Sequence, residues 1–326
     1  MILSVFVALM LAQQAPAPPA PAARGPRPPA PPLVLLPGSP ADRKPDDYTF
    51  GPDSMVHEGV PQGKWDKMVW KSEIYPNTER FVWTYVPAQY DPKKPACLMV
   101  FQDGVRQYGE REDNRPAGRK AEYRVPTVLD NLIARGELPV IIAVFVDPGG
   151  DIKGRNGNPD FANRSVEYDT LSDTYSQFLA KEILPPVEAK YNIRKDPAGR
   201  AIGGISSGAI CAFTVAWNHP DWFGKVLSDV GSFTNIRGGH VYPQLVLAAE
   251  HKPIKIHMQD GINDNRRPET PERDWYLQNK AMHEALVAKG YDVKYVLGDG
   301  VHGSKHGGSI LPDSMRWLWS DQVPKK

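Results

Sequence analysis

The hydrophobic and polar positions of this chain change their spacing once along the sequence. Between about residues 45 and 90, apolar and polar residues alternate in two short runs, 67–71 and 80–86, which Pro76 and Asn77 separate. A period of two is typical of a half-buried strand, and Pro and Asn between two such runs indicate a turn. The pattern therefore predicts an antiparallel pair at the edge of a sheet.

Beyond residue 90 the predicted strands are mostly apolar, and segments of helical length separate them. Continuous apolar strands of this kind are typical of a parallel sheet that is buried on both faces. These strands cover residues 98–102, 140–146, 201–203, 225–230, 254–258 and 293–297. Apolar residues at i, i+3 and i+4 predict helices over 171–190 and 279–289. We expect an α/β fold, a mostly parallel sheet with helices on both faces and an antiparallel N-terminal edge.

Composition and charge narrow the classes of ligand. The chain has 326 residues, 41% of them hydrophobic, which is enough for one large core. Its 39 basic and 38 acidic residues give a net charge of +1, so no basic patch indicates binding to nucleic acid or to an anionic membrane. We therefore expect a small or neutral ligand. Cys97 and Cys211 lie in apolar surroundings, which predicts buried free thiols.

The N-terminal segment differs from the rest of the chain. Residues 2–12 form an apolar run that is too short to cross a bilayer but suits the core of a signal peptide, although no Lys or Arg precedes it. The Pro- and Ala-rich stretch that follows tends towards an extended spacer. We predict a signal peptide over 1–15, a linker over 16–44 and one domain over 45–326. Such a protein is secreted or periplasmic and has no stable membrane insertion after signal removal; a wrongly assigned start and a retained membrane tether are the alternatives.

The segment 200–217 carries the motif around which the chemistry is arranged. A short apolar strand leads into Gly-Ile-Ser-Ser-Gly at 204–208, and a helical run follows. A G-x-S-x-G sequence between a strand and a helix is a nucleophile elbow, in which glycines permit a tight turn and close packing. Ser206 is the candidate nucleophile, and the N–H of Ser207 could bind a developing oxyanion. An ordinary glycine turn below a structural helix is the alternative.

A serine nucleophile needs a base and a carboxylate that orients the base. Ligand-binding groups of open parallel sheets lie at the carboxyl ends of strands, and hydrolases of this architecture have the chain order Ser, Asp or Glu, His. His302 follows the last predicted strand and is the candidate base, with His306 as the alternative. Asp264 is the candidate acid, and Asp260 and Asp299 are the alternatives.

Other groups near these strand ends have weaker signals. A second oxyanion donor would come from Gly104 or Val105, after the first parallel strand. Glycines at 300, 303, 307 and 308 argue against a helix that carries both histidines, so we predict no metal site. A basic segment over 106–124 flanks the expected mouth of the site. Candidate substrate contacts, each of which could instead be structural, are Arg164, Glu167, Phe233, Trp275 and His306.

Taken in order, these motifs resemble a known family. They are Asp103-Gly104, Asn163-Arg164 with Glu167, the elbow at 202–208, the segments 261–264 and 300–308, Leu311-Pro312-Asp313 and Trp317-Leu318-Trp319. The chain resembles, over about residues 45–322, the "putative esterase" family of enterochelin esterases, feruloyl esterases and related exported hydrolases. The resemblance implies an α/β-hydrolase fold, no cofactor and a triad of Ser206, Asp264 and His302.

The family also contains mycolyltransferases and S-formylglutathione hydrolases, so the resemblance specifies the chemistry better than the substrate. It implies a serine esterase that acts on a small-molecule or saccharide ester with an aromatic acyl group, such as a feruloylated saccharide or a catecholate siderophore. One alternative is an acyltransferase that uses the same triad with a sugar acceptor. Another is a catalytically silent saccharide-binding module on a Pro-rich tether.

Overall fold

The structure is a computed structural model that describes residues 48–109, 122–154 and 159–323. The predicted signal peptide and linker lie outside these residues, and so does most of the basic segment over 106–124. None of the helices in the described ranges combines the length and the apolar content that a membrane span requires.

An eight-stranded mixed sheet forms the centre of the fold, in the order β1-β2-β4-β3-β5-β6-β7-β8. Its strands are β1 (Lys64–Lys71), β2 (Glu79–Val86), β3 (Cys97–Gln102), β4 (Ile141–Val146), β5 (Arg200–Ile205), β6 (Lys225–Asp229), β7 (Lys255–Gly261) and β8 (Val293–Gly298). β1 pairs antiparallel with β2, and β2 pairs antiparallel with β4. The other neighbours are parallel. The predicted antiparallel edge and parallel body are confirmed.

Helices cover both faces of the sheet. They are α1 (Gly104–Tyr108), α2 (Val125–Ala134), α3 (Arg164–Tyr168), α4 (Thr174–Phe178), α5 (Leu184–Lys190), α6 (Ser207–Asn218), α7 (Tyr242–Ala248), α8 (Trp275–Ala288) and α9 (Lys305–Leu318). Alternate residues of β3 enter two separate cores. Leu98 belongs to the core that includes residues of α3 to α8, and Met99 to the core that includes residues of α1, α2 and α9. Cys97 and Cys211 are both buried, as predicted.

Two predicted helices differ from the structure in detail. The helix expected over 171–190 consists of α4, a wider π turn (Leu179–Ile183) and α5. Pro185 and Pro186 have no N–H to donate, which interrupts the regular hydrogen-bond ladder there. The helix predicted over 279–289 begins earlier, at Trp275, because the Asp274 carboxylate accepts a hydrogen bond from Leu277 N at 2.9 Å and caps it.

The prediction that no single helix carries both His302 and His306 is confirmed, although two of the four glycines are helical. Gly307 and Gly308 lie inside α9. A Cβ atom at Gly307 would come within 2.3 Å of the Tyr123 hydroxyl, and one at Gly308 within 1.7 Å of the Glu122 carbonyl oxygen. Glycine is present because α9 packs closely against Glu122 and Tyr123, which lie just before α2. His302 precedes this helix and His306 lies in it.

Candidate active site

The elbow places Ser206 between β5 and α6 in a backbone conformation that few residues adopt. Its φ is 58° and its ψ is −122°, outside the regions favoured by residues with side chains. A Cβ atom at Gly204 would lie 2.2 Å from the backbone of Gly208, so the helix can pass this close only to a glycine. The G-x-S-x-G spacing thus follows from the tight turn, which points the Ser206 side chain away from the strand.

The structure brings the side chains of Ser206, His302 and Asp264 together. His302 Nδ1 donates to Asp264 Oδ1 at 2.6 Å. The other ring nitrogen, Nε2, lies 2.8 Å from Ser206 Oγ and accepts its hydroxyl proton. The three residues come from the carboxyl ends of β5, β7 and β8, which meet at the same edge of the sheet.

The environment of His302 favours the neutral imidazole that a general base requires. Burial lowers the pKa of His302 to about 4. Trp275 contributes to this burial, since its ring meets the imidazole edge-on at a centroid distance of 5.5 Å. At neutral pH the ring can therefore take the proton of Ser206.

The alternative base, His306, occupies a different environment. It is buried, stacks on Tyr48 at a centroid distance of 4.3 Å, and its Nδ1 accepts a hydrogen bond from Gln259 Nε2 at 2.9 Å. His306 lies against Tyr48 and Gln259, whereas His302 contacts Ser206. The structure thus gives His306 a packing role rather than the place of a base or an exposed substrate contact.

The two alternative acids also have other partners. Asp299 is hydrogen-bonded to the hydroxyl of Tyr48. Asp260 is buried beside Asp264, and the two carboxyl groups are in hydrogen-bonding contact. Burial and the neighbouring Asp264 carboxyl raise the pKa of Asp260 well above its usual value. Burial also raises the pKa of Asp264, but His302 Nδ1 supports the ionised form of this residue.

The candidate oxyanion donors lie on two adjacent helix N-termini. α6 begins at Ser207 and α1 begins at Gly104, followed by Val105, so the first N–H groups of each helix have no acceptor within the helix. Gly104 has a φ of +63°, and a Cβ atom there would lie 1.6 Å from Asp147 Oδ1. Both the conformation and the close approach require glycine at this position.

Arg164 reaches the segments that precede both helices, because its Nη2 donates to the carbonyl oxygen of Ile205, just before the elbow, at 3.5 Å. The Glu167 side chain instead lies away from solvent. Arg164 donates to both carboxylate oxygens of Asp103, the residue before Gly104, at 2.5 and 2.8 Å. Glu167 instead pairs with Arg80 at 2.6 Å, and both side chains are fully buried. The expectation that Glu167 contacts substrate is therefore wrong, because its carboxylate is occupied by a buried ion pair.

The two aromatic candidates have different positions. Phe233 is 1% exposed and packs edge-on against Phe213 and Tyr242 in the core, so it does not line a pocket. Trp275 lies at the site, beside His302, and its Nε1 donates to Ser232 Oγ at 3.1 Å. Ser232 was not among the candidates, yet its Oγ is 3.2 Å from Ser206 Oγ. The signal for it in the sequence is its position three residues after the end of β6, the neighbour of the elbow strand.

The sheet order and the helices on both faces define an α/β-hydrolase fold, which solved esterases share. The enterobactin esterase of Shigella flexneri is 22% identical with a TM-score of 0.62, covering 81% of this chain and 62% of that one. The ferulic acid esterase of Anaeromyces mucronatus is 21% identical with a TM-score of 0.58, covering 84% of this chain and 97% of that one. These likenesses establish the fold.

The particular family follows from the sequence. The model of the family described as "Putative esterase" matches residues 73–306, and the chain belongs to this family. The iron(III) enterobactin esterase of Dickeya dadantii is 27% identical over 276 residues, which cover 78% of this chain. The chain spans 55% of the length of that relative and 62% of the length of the Shigella enzyme.

Proposed function

We propose that the protein is an exported serine carboxylic ester hydrolase. The observation that carries the proposal is the arrangement of Ser206 Oγ, His302 Nε2 and Asp264 Oδ1, joined at 2.8 and 2.6 Å in a member of an esterase family. A hydroxyl, a neutral imidazole and a buried carboxyl in this order are the groups that acyl transfer through serine requires.

The reaction has two steps. Ser206 Oγ forms a bond to the ester carbonyl carbon while its proton passes to His302 Nε2, and Asp264 orients the imidazolium. The tetrahedral oxyanion accepts hydrogen bonds from the N–H of Ser207 and from that of Gly104 or Val105. The bond to the alcohol oxygen then breaks, and the alcohol leaves with the proton from His302. A water molecule, deprotonated by His302, releases the acid and regenerates Ser206.

The proposed substrate is a small-molecule or saccharide ester with an aromatic acyl group. The support comes from relatives whose names describe enterobactin and ferulic acid esterases. Composition supports the proposed compartment, since the apolar run at 2–12 and the Pro- and Ala-rich stretch fit a signal peptide over 1–15 and a linker over 16–44. The enzyme itself would then be the domain over 45–326.

Hydrolysis of methyl ferulate by the full chain tests the proposal. We expect Ser206→Ala to lower kcat by a factor on the order of 10⁴ or more. Ser320→Ala is the matched control, because Ser320 is exposed and bonded to Lys255 at the start of β7, the opposite end of that strand from Asp264. Native turnover in Ser206→Ala would contradict the serine mechanism.

Two further measurements separate the alternatives. If methyl ferulate is not cleaved but 4-nitrophenyl acetate is, the esterase stands and the aromatic substrate class is wrong. A product that forms only when a sugar acceptor is added identifies an acyltransferase. Absence of turnover on both esters, together with no reaction of Ser206 with an organophosphonate, indicates the silent binding module.

A further inference from the structure

Ser232 is held against the nucleophile by its backbone and its side chain. Its N–H donates to the carbonyl oxygen of Ser206 at 3.1 Å, and its Oγ lies 3.2 Å from Ser206 Oγ. The residue is 1% exposed, so bulk water does not compete for these contacts. On the far side, the indole Nε1 of Trp275 donates to Ser232 Oγ at 3.1 Å.

The direction of each hydrogen bond follows from the chemistry of the groups. An indole N–H can only donate, so Ser232 Oγ is the acceptor from Trp275. His302 Nδ1 keeps its proton for Asp264, so Nε2 accepts the single hydroxyl proton of Ser206. The hydroxyl proton of Ser232 is then directed to Ser206 Oγ, which has lone pairs available.

We propose that Ser232 is a further catalytic residue, whose hydroxyl donates to Ser206 Oγ, and that Trp275 is a positioning residue that acts through it. The inference rests on the proposed serine mechanism.

Negative charge builds up on Ser206 Oγ when its proton leaves for His302, and again when Oγ departs from the acyl-enzyme. A hydrogen bond to a charged oxygen is about twice as strong as one to a neutral oxygen. The contact therefore stabilises both transition states more than the ground states, and no bond to Ser232 forms or breaks.

The backbone around Ser232 is fixed by groups other than its hydroxyl. The carbonyl oxygen of Gly231 accepts a hydrogen bond from Asn279 Nδ2 at 2.9 Å, and Phe233 is anchored in the core. Removing the hydroxyl should therefore leave Ser206 and its strand in place. A loss of activity in such a variant reports on the contact with Ser206 Oγ.

The test measures the reactivity of the nucleophile in the full chain. We would determine the second-order rate constant for phosphonylation by a 4-nitrophenyl phosphonate and kcat/KM for 4-nitrophenyl acetate. For Ser232→Ala we expect both to fall about tenfold, with the thermal midpoint little changed. Ser228→Ala is the matched control, because Ser228 is a buried serine on β6 itself. The Ser228→Ala variant should be phosphonylated at the native rate.

A double-mutant cycle tests the role of Trp275. Trp275→Phe keeps a ring beside His302 but removes the donor to Ser232, so we expect a smaller loss of about two- to fivefold. In the Ser232→Ala background the same substitution should cost nothing further. Equal losses in both backgrounds would show that Trp275 does not act through Ser232 and would overturn that part of the inference.

The outcomes separate this inference from the proposed function. Activity retained by Ser206→Ala would contradict the serine mechanism itself. If Ser206→Ala is inactive but Ser232→Ala is phosphonylated at the native rate, only the role of Ser232 is wrong. Should Ser232→Ala not fold, Trp275→Phe decides, since phosphonylation at the native rate in that variant would contradict the inference.

Discussion

The guanidinium of Arg164 and the carboxylate of Asp103 form a two-fold hydrogen-bonded pair at 2.5 and 2.8 Å. Asp103 directly precedes α1, has a φ of 66°, and places its Oδ2 where it would be 2.8 Å from a Cβ atom on Gly208. The pair therefore connects α3, the loop after β3 and the first turn of α6. Both proposed oxyanion donors depend on the relative position of these last two segments.

Replacing Arg164 should loosen that connection. A lysine keeps the charge but cannot match the planar fork of the guanidinium, so for Arg164→Lys we expect kcat to fall about 10- to 100-fold with little change in KM. Steady-state kinetics on 4-nitrophenyl acetate measures both constants. Arg135→Lys is the control, because Arg135 is exposed in a surface ion pair with Asp53. A native kcat in Arg164→Lys would show that the pair does not position the donors.

The two histidines of the 300–308 segment should respond differently to the same substitution. His302→Gln removes the base, and we expect kcat to fall by a factor on the order of 10⁴. His306→Gln removes a buried ring stacked on Tyr48, so we expect a loss of about 1–3 kcal/mol in the free energy of unfolding and less than a tenfold loss of kcat. Urea unfolding and kinetics on both variants test this, and the reverse pattern would make His306 the base.

Substitution of Asp264 should lower kcat far more than the same substitution of Asp260. Among the described residues, no N–H or O–H group donates to Asp260 Oδ1 or Asp264 Oδ2, and the two carboxyls are in hydrogen-bonding contact. A proton on the Asp260 carboxyl, donated to Asp264, gives both carboxyl groups a hydrogen-bond partner. In Asp260→Asn an amide N–H can replace that donor, so we expect less than a tenfold loss of kcat, whereas Asp264→Asn should lose about 10⁴-fold. A larger loss in Asp260→Asn would assign the orienting role to Asp260.

The buried pair of Arg80 and Glu167 should matter for stability rather than for substrate binding. Asn163 Nδ2 and the N–H of Gly149 also donate to Glu167, at 2.7 and 3.2 Å. Glu167→Gln leaves the Arg80 charge buried without its counter-ion, so we expect the free energy of unfolding to fall by about 3–5 kcal/mol. Urea unfolding measures the loss. An unchanged stability combined with a raised KM would instead favour a substrate contact.

His257 should make the stability depend on pH. This residue is 1% exposed, and burial lowers its pKa from the usual 6.5 to about 3. Between these two values the unfolded chain binds a proton that the folded chain does not, so stability falls as the pH falls, by up to about 1.4 kcal/mol per unit. We expect the stability difference between native protein and His257→Gln to shrink by about 2 kcal/mol from pH 7 to pH 5. A difference that stays constant in urea unfolding would contradict this.

Several features of this protein follow from local sequence alone. The alternation at 67–71 and 80–86 indicates the antiparallel edge, and the apolar runs indicate the parallel strands, because burial on one or both faces of a sheet sets the period of hydrophobic residues. The elbow is also readable, since its tight turn brings Gly204 against the backbone of Gly208, only four residues further along the chain. Boundaries near Pro185 and Gly307 were less predictable, because a proline pair inside a helix and the packing of α9 on Glu122 override the simple pattern.

Only the tertiary structure decides which polar residues meet. His302 and His306 are four residues apart in the sequence, yet one contacts Ser206 across 96 positions of chain and the other packs on Tyr48. Nothing local distinguishes Glu167, which is buried against Arg80, from Arg164, which reaches Asp103. The contact of Ser232 with Ser206 likewise depends on β6 lying beside β5.

The sequence by itself determined the elements and the candidate nucleophile, because spacing and glycine sterics are local. The partners of each side chain were settled by strand order and loop path, because these contacts join residues that are distant along the chain.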